Sequence, residues 1–180
     1  MHKYIAFLRA INVGGRNIKM ADLRSLFQAL DLEHVETLIA SGNVIFDPPA
    51  IEVAALERKI AEHLHENLGY KVDTFIRSNA QLAEIAHYQP FGDITLEKGG
   101  NTLKVGFLSA PLTPEARSKL LTYRTDIDDF HVKGQEVYWL SRKAVGKSRF
   151  SGSVLEKAIK APATLRNINT IRRLVAKYPS

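Results

Sequence analysis

The segment from Arg9 to Lys19, with the sequence RAINVGGRNIK, carries the residue types from which anion-binding sites are built. Gly14 and Gly15 allow backbone amides to approach a ligand closely, and Arg9 or Arg16 offers a guanidinium fork that fits phosphate or carboxylate. Two side-chain amides and one amine complete the polar set of this segment, namely those of Asn12, Asn17 and Lys19. The alternative is that the asparagines and glycines only shape a local turn.

A second polar loop, formed by Ser41, Gly42 and Asn43, separates two short β-rich runs and predicts a hairpin turn. In a split βαββαβ unit the first strand and the first hairpin strand point the same way. The end of the first strand and the hairpin turn therefore lie at one edge of the sheet. We call residues 9–19 and 41–43 together the polar rim, to which the following helix adds its N-terminal N–H groups.

The elements that must position this rim follow from hydrophobic periodicity. The apolar run Tyr4–Leu8 predicts a buried strand, and apolar residues from Met20 and from Val53 recur at helical spacing. With the hairpin and a further strand near residue 75, the order is βαββαβ, which is typical of a ferredoxin-like sandwich.

The same pattern begins again at Leu103–Leu108, followed by a predicted helix from Pro114 and a hairpin that turns at Gly134. We therefore expect an α+β protein with two tandem ferredoxin-like units, the second incomplete because no final strand is evident before its C-terminal helices. The expected domains are residues 1–88 with the polar rim, a linker loop at 89–101, and residues 102–180.

Positive charge is concentrated at the C-terminal end of the chain. The net charge is +6, and residues 141–180 contain ten Lys or Arg against one acidic residue, Glu156. Such asymmetry favours a phosphate-bearing ligand or nucleic acid, although a solvated basic surface explains it as well. Lys147 and Arg149 are candidates for phosphate contact, but their segment lacks the earlier glycine of a nucleotide-binding loop, since that position is Ser141.

The segment TLRNINT near the C-terminus places Arg166, Asn167 and Thr170 at a predicted helix start. Arginine at a helix N-terminus is unfavourable for the helix dipole unless an anion compensates, which makes these residues further ligand candidates. A simple ion pair of Arg166 with an acidic residue is the alternative.

Several kinds of chemistry are not expected. The chain has no cysteine, which excludes disulfides and thiolate chemistry and favours a cytoplasmic location. Its histidines are scattered, so we expect neither a metal site nor a cofactor, and no run is long enough to cross a membrane. Asp126, Asp128 and Asp129 are expected to be solvated.

Four segments in a fixed order, LRAINVGGRNIKM, VETLIASGNVIF, QPF and TLRNINT, resemble the hallmark segments of an uncharacterised, mainly bacterial family, domain of unknown function 1697. The resemblance implies a duplicated ferredoxin-like architecture but supplies no activity. The chain departs from the family at Ala10, where glycine is usual, and at Ala40 and Ile168. The resemblance assigns motif positions to Arg9, Asn12, Gly14, Gly15, Met20, Ser41, Gly42, Asn43, Phe46, Thr164, Arg166, Asn167 and Thr170.

The leading hypothesis is binding of an anionic small molecule or nucleic acid at the polar rim, assisted by the basic residues from 147 to 173. One alternative is an enzyme that acts on a small anionic substrate. The rim loops contain no Asp, Glu or His, so the acid or base would come from elsewhere. A protein-interaction scaffold is the other alternative. The sequence indicates no oligomeric state.

Overall fold

The computed structural model describes residues 1–38, 42–96 and 100–180 of the chain, and these residues fall into two compact units. Unit 1 comprises Met1–Ala86 with Arg172–Ser180, and unit 2 comprises His87–Ile171. Within the described ranges, no helix has both the length and the apolar character that a membrane crossing requires.

Unit 1 is a ferredoxin-like layer of helices on one antiparallel sheet with the strand order β2-β3-β1-β4. Strand β1 is central, because it pairs with β3 on one side and with β4 on the other. The elements are β1 (Tyr4–Leu8), α1 (Met20–Gln28), β2 (Glu36–Thr37), β3 (Asn43–Phe46), α2 (Val53–Leu68), β4 (Thr74–Ser78) and α3 (Asn79–His87).

The predicted helical stripes form the core of this unit. Leu23 and Phe27 of α1 and Leu56, Ile60 and Leu64 of α2 are fully buried in one apolar cluster with one face of the sheet. Burial of a large apolar side chain contributes about 1.5–3 kcal/mol, so these stripes fix the helices on the sheet.

Unit 2 has the same topology, with the strand order β6-β7-β5-β8. Its elements are β5 (Asn101–Phe107), α4 (Pro114–Leu121), β6 (Asp128–Lys133), β7 (Glu136–Arg142), α5 (Gly152–Ile159), β8 (Thr164–Asn167) and α6 (Ile168–Lys177). The last turns of α6, from Arg172, group with unit 1.

The fold class is confirmed as α+β with tandem ferredoxin-like units, but the prediction that the second unit lacks its final strand is wrong. Residues Thr164–Asn167, which the sequence predicts as a helix start, form β8 and pair with β5. A four-residue strand leaves too short a pattern to be recognised, and its pairing partner lies about 60 residues earlier in the chain. Helix α6 therefore begins only at Ile168.

Candidate functional site

The two loops of the polar rim meet in the structure as far as they are described. The backbone N–H of Leu8 donates to the carbonyl of Gly42 over 2.9 Å, so the end of β1 is bonded to the hairpin turn. Gly42 has a φ of +75°, and a Cβ placed there would lie 2.4 Å from Cγ2 of Ile11. Ser41 lies outside the described residues.

Backbone geometry within the rim is unusual. Ala10 and Asn12 both have a φ of +55°, and Gly14 and Gly15 have φ values of +58° and +82°. The side-chain oxygen of Asn12 accepts a 2.7 Å hydrogen bond from the backbone N–H of Ile18. Asn12 therefore holds the two ends of the loop together, as the local-turn alternative requires.

The two arginines of the rim have partners within unit 1. Arg9 lies 3.9 Å from a carboxylate oxygen of Asp73, and the Arg16 guanidinium lies 4.3 Å from the centre of the Tyr70 ring. Lys19 is the N-cap residue of α1, but its side chain makes no capping hydrogen bond to that helix. Four of the predicted ligands are exposed to solvent, namely Gly14, Gly15, Asn17 and Lys19.

Asn43 lies inside the protein rather than on the rim. It belongs to β3, it is 0% exposed, and its Nδ2 donates to the carbonyl of Leu38 over 3.0 Å. This amide closes the hairpin from within. A ligand at the rim surface would not reach it without displacing the hairpin.

The C-terminal candidates Arg166, Asn167 and Thr170 do not form one surface site, because Arg166 is buried. Arg166 on β8 is buried, and its Nη1 donates to Oγ1 of Thr164 and to the carbonyl of Leu165. Burial lowers the pKa of this guanidinium to about 10, which still leaves it protonated at neutral pH. Asn167 caps α6 by accepting from the N–H of Asn169, and Thr170 is half-buried on that helix.

Lys147 lines a cavity that we call the basic cavity. Its volume is about 540 Å³ and it lies within unit 2, on the face of the sheet that also carries α4 and α5. Volumes of this order are typical of small-molecule sites. The lining residues are Thr102, Lys104, Trp139, Ser141, Lys143, Gly146, Lys147 and Ser148.

Three lysines and one tryptophan are among the residues of this lining. Lys104 on β5 is paired with Trp139 on β7, and its Nζ lies 5.0 Å from the centre of the indole ring. Lys143 and Lys147 follow β7 on the loop that leads to α5 and are exposed. The ion pairs found among the described residues involve none of these three lysines.

A buried carboxylate fixes the wall of the basic cavity. Asp128, at the start of β6, is 4% exposed and accepts a 2.8 Å hydrogen bond from Nε1 of Trp139. Oγ of Ser148 donates to the same carboxylate at 2.8 to 2.9 Å and accepts from the N–H of Phe150. The expectation that Asp128 is solvated is therefore wrong, and its carboxylate ties the 143–150 loop to the sheet.

Sequence reasoning missed Lys104, Trp139 and Lys143 as site residues. A signal for Lys104 was available, because this charged residue lies between the apolar residues Leu103 and Val105 of β5. Successive residues of a strand face opposite sides of the sheet, so Lys104 lies on the face opposite to its two neighbours. Its pairing with Trp139 depends on the β5–β7 register, which single-strand patterns do not specify.

Three side chains of the types that bind metals lie close together at a different place, near the start of β1. Glu33, His34 and Asp47 offer ligand atoms that lie within 4.8 Å of one another. Asp47 is already bonded to the amine of Lys3 and to Nδ1 of His34, and chiefly the Lys3 bond lowers its pKa. The amine of Lys3 occupies the place beside Asp47 that a metal cation would take, so we propose no metal site here. That the protein binds no metal stays a prediction.

Comparison with known proteins gives a family and a fold. No curated protein matches the chain. The chain is similar in structure to a conserved bacterial protein from Streptococcus pneumoniae, with a TM-score of 0.72 and 21% identity over 99% of this chain and 98% of that one. At this identity the likeness shows the fold alone. Residues 1–138 match the model of the family described as protein of unknown function DUF1697. The resemblance seen in the sequence is thereby confirmed, and the chain belongs to the DUF1697 family.

Proposed function

We propose that this protein binds a small phosphate-bearing or similar anion, and that the basic cavity of unit 2 is its site. The observation that carries the proposal is that Lys104, Lys143 and Lys147 all line one cavity of about 540 Å³. Each charge-assisted hydrogen bond is worth about 1.5–3 kcal/mol, so three amines contribute about 4.5–9 kcal/mol before ordering costs, which supports binding in the millimolar to micromolar range.

The shape of the site favours a small molecule over nucleic acid. The three lysines line one concavity, whereas nucleic acid favours basic residues that follow an extended backbone. Ser141 and Ser148 add hydroxyl groups that supply directional hydrogen bonds to phosphate oxygens.

Binding without catalysis is the better supported form of the proposal. The residues that line the basic cavity include no Asp, Glu or His, the side chains that most often act as a general acid or base. The carboxylate of Asp128 lies near the basic cavity, because it accepts hydrogen bonds from the lining residues Trp139 and Ser148. These bonds give it a structural role. The enzyme and scaffold alternatives lack a comparable observation.

The polar rim remains a second proposed location for an anion, because Gly14, Gly15, Asn17 and Lys19 are exposed there. The cytoplasmic location stays part of the proposal. We also propose that the two halves arose by duplication, which their identical element order and strand order support.

Trp139 makes the basic cavity directly testable, because it is the one tryptophan of the chain. Titration with inorganic pyrophosphate, followed by tryptophan fluorescence and by calorimetry, is expected to give saturable binding. The double variant Lys143→Gln with Lys147→Gln is expected to weaken binding about 100-fold, since it removes two charged contacts.

The matched control removes two charges of unit 2 that do not line the cavity, by Lys157→Gln and Lys160→Asn. Asparagine suits position 160, where φ is +54°. Equal binding by this control and the wild type, with loss in the cavity variant, supports the site. Absence of binding by the wild type in both measurements overturns it.

A further inference from the structure

A second cavity of about 380 Å³ lies in unit 2 and differs in character from the basic cavity. Two aromatic rings and two aliphatic side chains form most of its wall. We call it the aromatic cavity, and its lining residues are Tyr123, Thr125, Ile127, Asp128, Lys147, Arg149, Phe150 and Val154. The Tyr123 and Phe150 rings are in edge-to-face contact at 5.8 Å between centroids.

Three observations show that the two cavities are neighbours. Lys147 lines both of them. Ser148 of the basic cavity is hydrogen-bonded to Asp128 of the aromatic cavity at 2.8 Å. A Cβ at Gly146, which lines the basic cavity, would lie 2.9 Å from Cδ1 of Ile127 in the aromatic cavity. Residues 146–149 therefore form a shared wall.

We propose that the two cavities are subsites for one ligand, a phosphate ester that carries an aromatic group. This inference rests on the proposed function, since it places the anion in the basic cavity. The aromatic group then occupies the space beside Tyr123 and Phe150, where rings pack edge to face or offset. Lys147, on the shared wall, contacts the ester between its charged and apolar parts.

The lining of the aromatic cavity also contains four polar or charged side chains, those of Thr125, Asp128, Lys147 and Arg149. Oγ1 of Thr125 already accepts from the N–H groups of Ile127 and Asp128. Arg149 is exposed at the lining of the cavity. A group bound there gains chiefly from burial of apolar area, which favours a ring over a sugar or a polar chain.

Two pairs of probes test this, each pair matched in charge: phenyl phosphate against methyl phosphate, and adenosine monophosphate against ribose 5-phosphate. Calorimetry on the full chain is expected to show that at least one aromatic member binds about tenfold or more tightly than its partner. The pair that shows the preference identifies whether the source is a simple aryl ester or a nucleotide.

Val154→Phe fills the aromatic cavity and keeps Trp139 as the one tryptophan. It is expected to remove the preference for the aromatic probe while affinity for methyl phosphate stays within about twofold of wild type. Tyr123→Leu, which removes one ring without filling the space, is expected to reduce the preference partially. Circular dichroism and melting temperature show whether each variant is folded, and Tyr123→Leu serves if Val154→Phe is not.

The outcomes separate the two proposals. Equal affinities within both pairs, with methyl phosphate still bound, overturn the paired subsites and leave the basic cavity intact. A preference that is undiminished in folded Val154→Phe, or undiminished in folded Tyr123→Leu, also overturns the paired subsites. Failure of all four probes while pyrophosphate still binds overturns the paired subsites, and failure of pyrophosphate as well overturns the proposed function itself.

Discussion

Arg77 and Arg166 occupy equivalent positions in the two sheets. Arg77 on β4 lies opposite Ile5 of the central strand β1, and Arg166 on β8 lies opposite Val105 of the central strand β5. Both are buried, and in both Nη1 donates to the carbonyl of the preceding residue, over 2.8 and 3.0 Å. The same arrangement in both units supports the proposed duplication and gives these arginines a role inside the fold.

Arg166→Ala is expected to lower the free energy of unfolding by about 2–4 kcal/mol, because it removes charge-assisted bonds to buried acceptors and leaves Thr164 without this donor. Urea unfolding monitored by circular dichroism measures the change. Arg173→Ala, at an exposed position on α6, is the control and should change stability by less than about 0.5 kcal/mol. Equal effects of the two variants would contradict a structural role for Arg166.

The hydrophobic pattern predicts most of the fold, because the buried positions of α1 and α2 follow a helical period and β1 is an uninterrupted apolar run. It does not predict β8, whose four residues become a strand only by pairing with β5. The same limit applies to the site. Lys104 and Trp139 lie 35 positions apart in the sequence numbering and meet through the β5–β7 register.

The polar rim shows that residue types alone do not distinguish ligand contacts from structural contacts. Asn12 and Asn43 have the chemistry of ligand contacts, yet one bonds the backbone of Ile18 and the other the carbonyl of Leu38. A loop that must close on itself needs the same amide groups as a loop that binds an anion. Only burial and partner identity separate the two roles.

Gly42→Ala is expected to be much more costly than Gly14→Ala, although both residues have positive φ. The new Cβ at position 42 would lie 2.4 Å from Ile11 and 3.1 Å from Cβ of Leu8, whereas nothing lies within 4 Å at position 14. We expect a loss of about 3 kcal/mol or more for Gly42→Ala and about 1 kcal/mol for Gly14→Ala. Equal losses in a chemical unfolding experiment would show that only backbone strain matters here.

Ala10→Gly is expected to stabilise the protein. Ala10 has a φ of +55°, a conformation that costs an L-residue about 1–2 kcal/mol, and glycine relieves this strain at a smaller entropic cost in the unfolded chain. A gain of about 0.5–1 kcal/mol in the free energy of unfolding follows. Ala21→Gly, within helix α1, is the opposite control and should destabilise by about 1 kcal/mol. Destabilisation by Ala10→Gly would contradict the inference that the backbone at Ala10 is strained.

Ionisation of Glu57 should lower the stability of unit 1 as pH rises through the mildly acidic range. Burial raises its pKa above the usual 4.5, against the opposing effects of a 2.8 Å bond from the N–H of Ile76 and of the nearby Arg77. The folded protein thus holds this proton more tightly than the unfolded chain. Its stabilising contribution is complete below pH 4.5 and is lost as pH rises through the folded pKa.

Glu57→Gln keeps an oxygen that accepts from Ile76 but does not ionise. The stability difference between this variant and the wild type should therefore shift in favour of the variant as pH rises from about 4 to 7. Urea unfolding at several pH values measures it, with Glu62→Gln at an exposed position of α2 as control. A difference that stays constant with pH would mean that Glu57 titrates alike in both states.

Asp128 is expected to govern both the stability of unit 2 and the environment of Trp139. Asp128→Ala leaves Nε1 of Trp139 without its 2.8 Å acceptor and Ser148 without the carboxylate that anchors the 143–150 loop. An unsatisfied buried donor costs about 1–3 kcal/mol, so we expect a loss in this range together with tryptophan emission at longer wavelength. Asp128→Asn retains one acceptor oxygen and should lose about half as much.

The control for this prediction is Asp126→Ala, which removes an exposed carboxylate from the same turn. It should leave the emission spectrum of Trp139 unchanged. If Asp128→Ala also leaves the emission unchanged while lowering stability, then the carboxylate stabilises the turn without fixing the indole. In that case the wall shared by the basic and aromatic cavities would depend on the packing of Phe150 against Trp139, whose rings lie 5.0 Å apart.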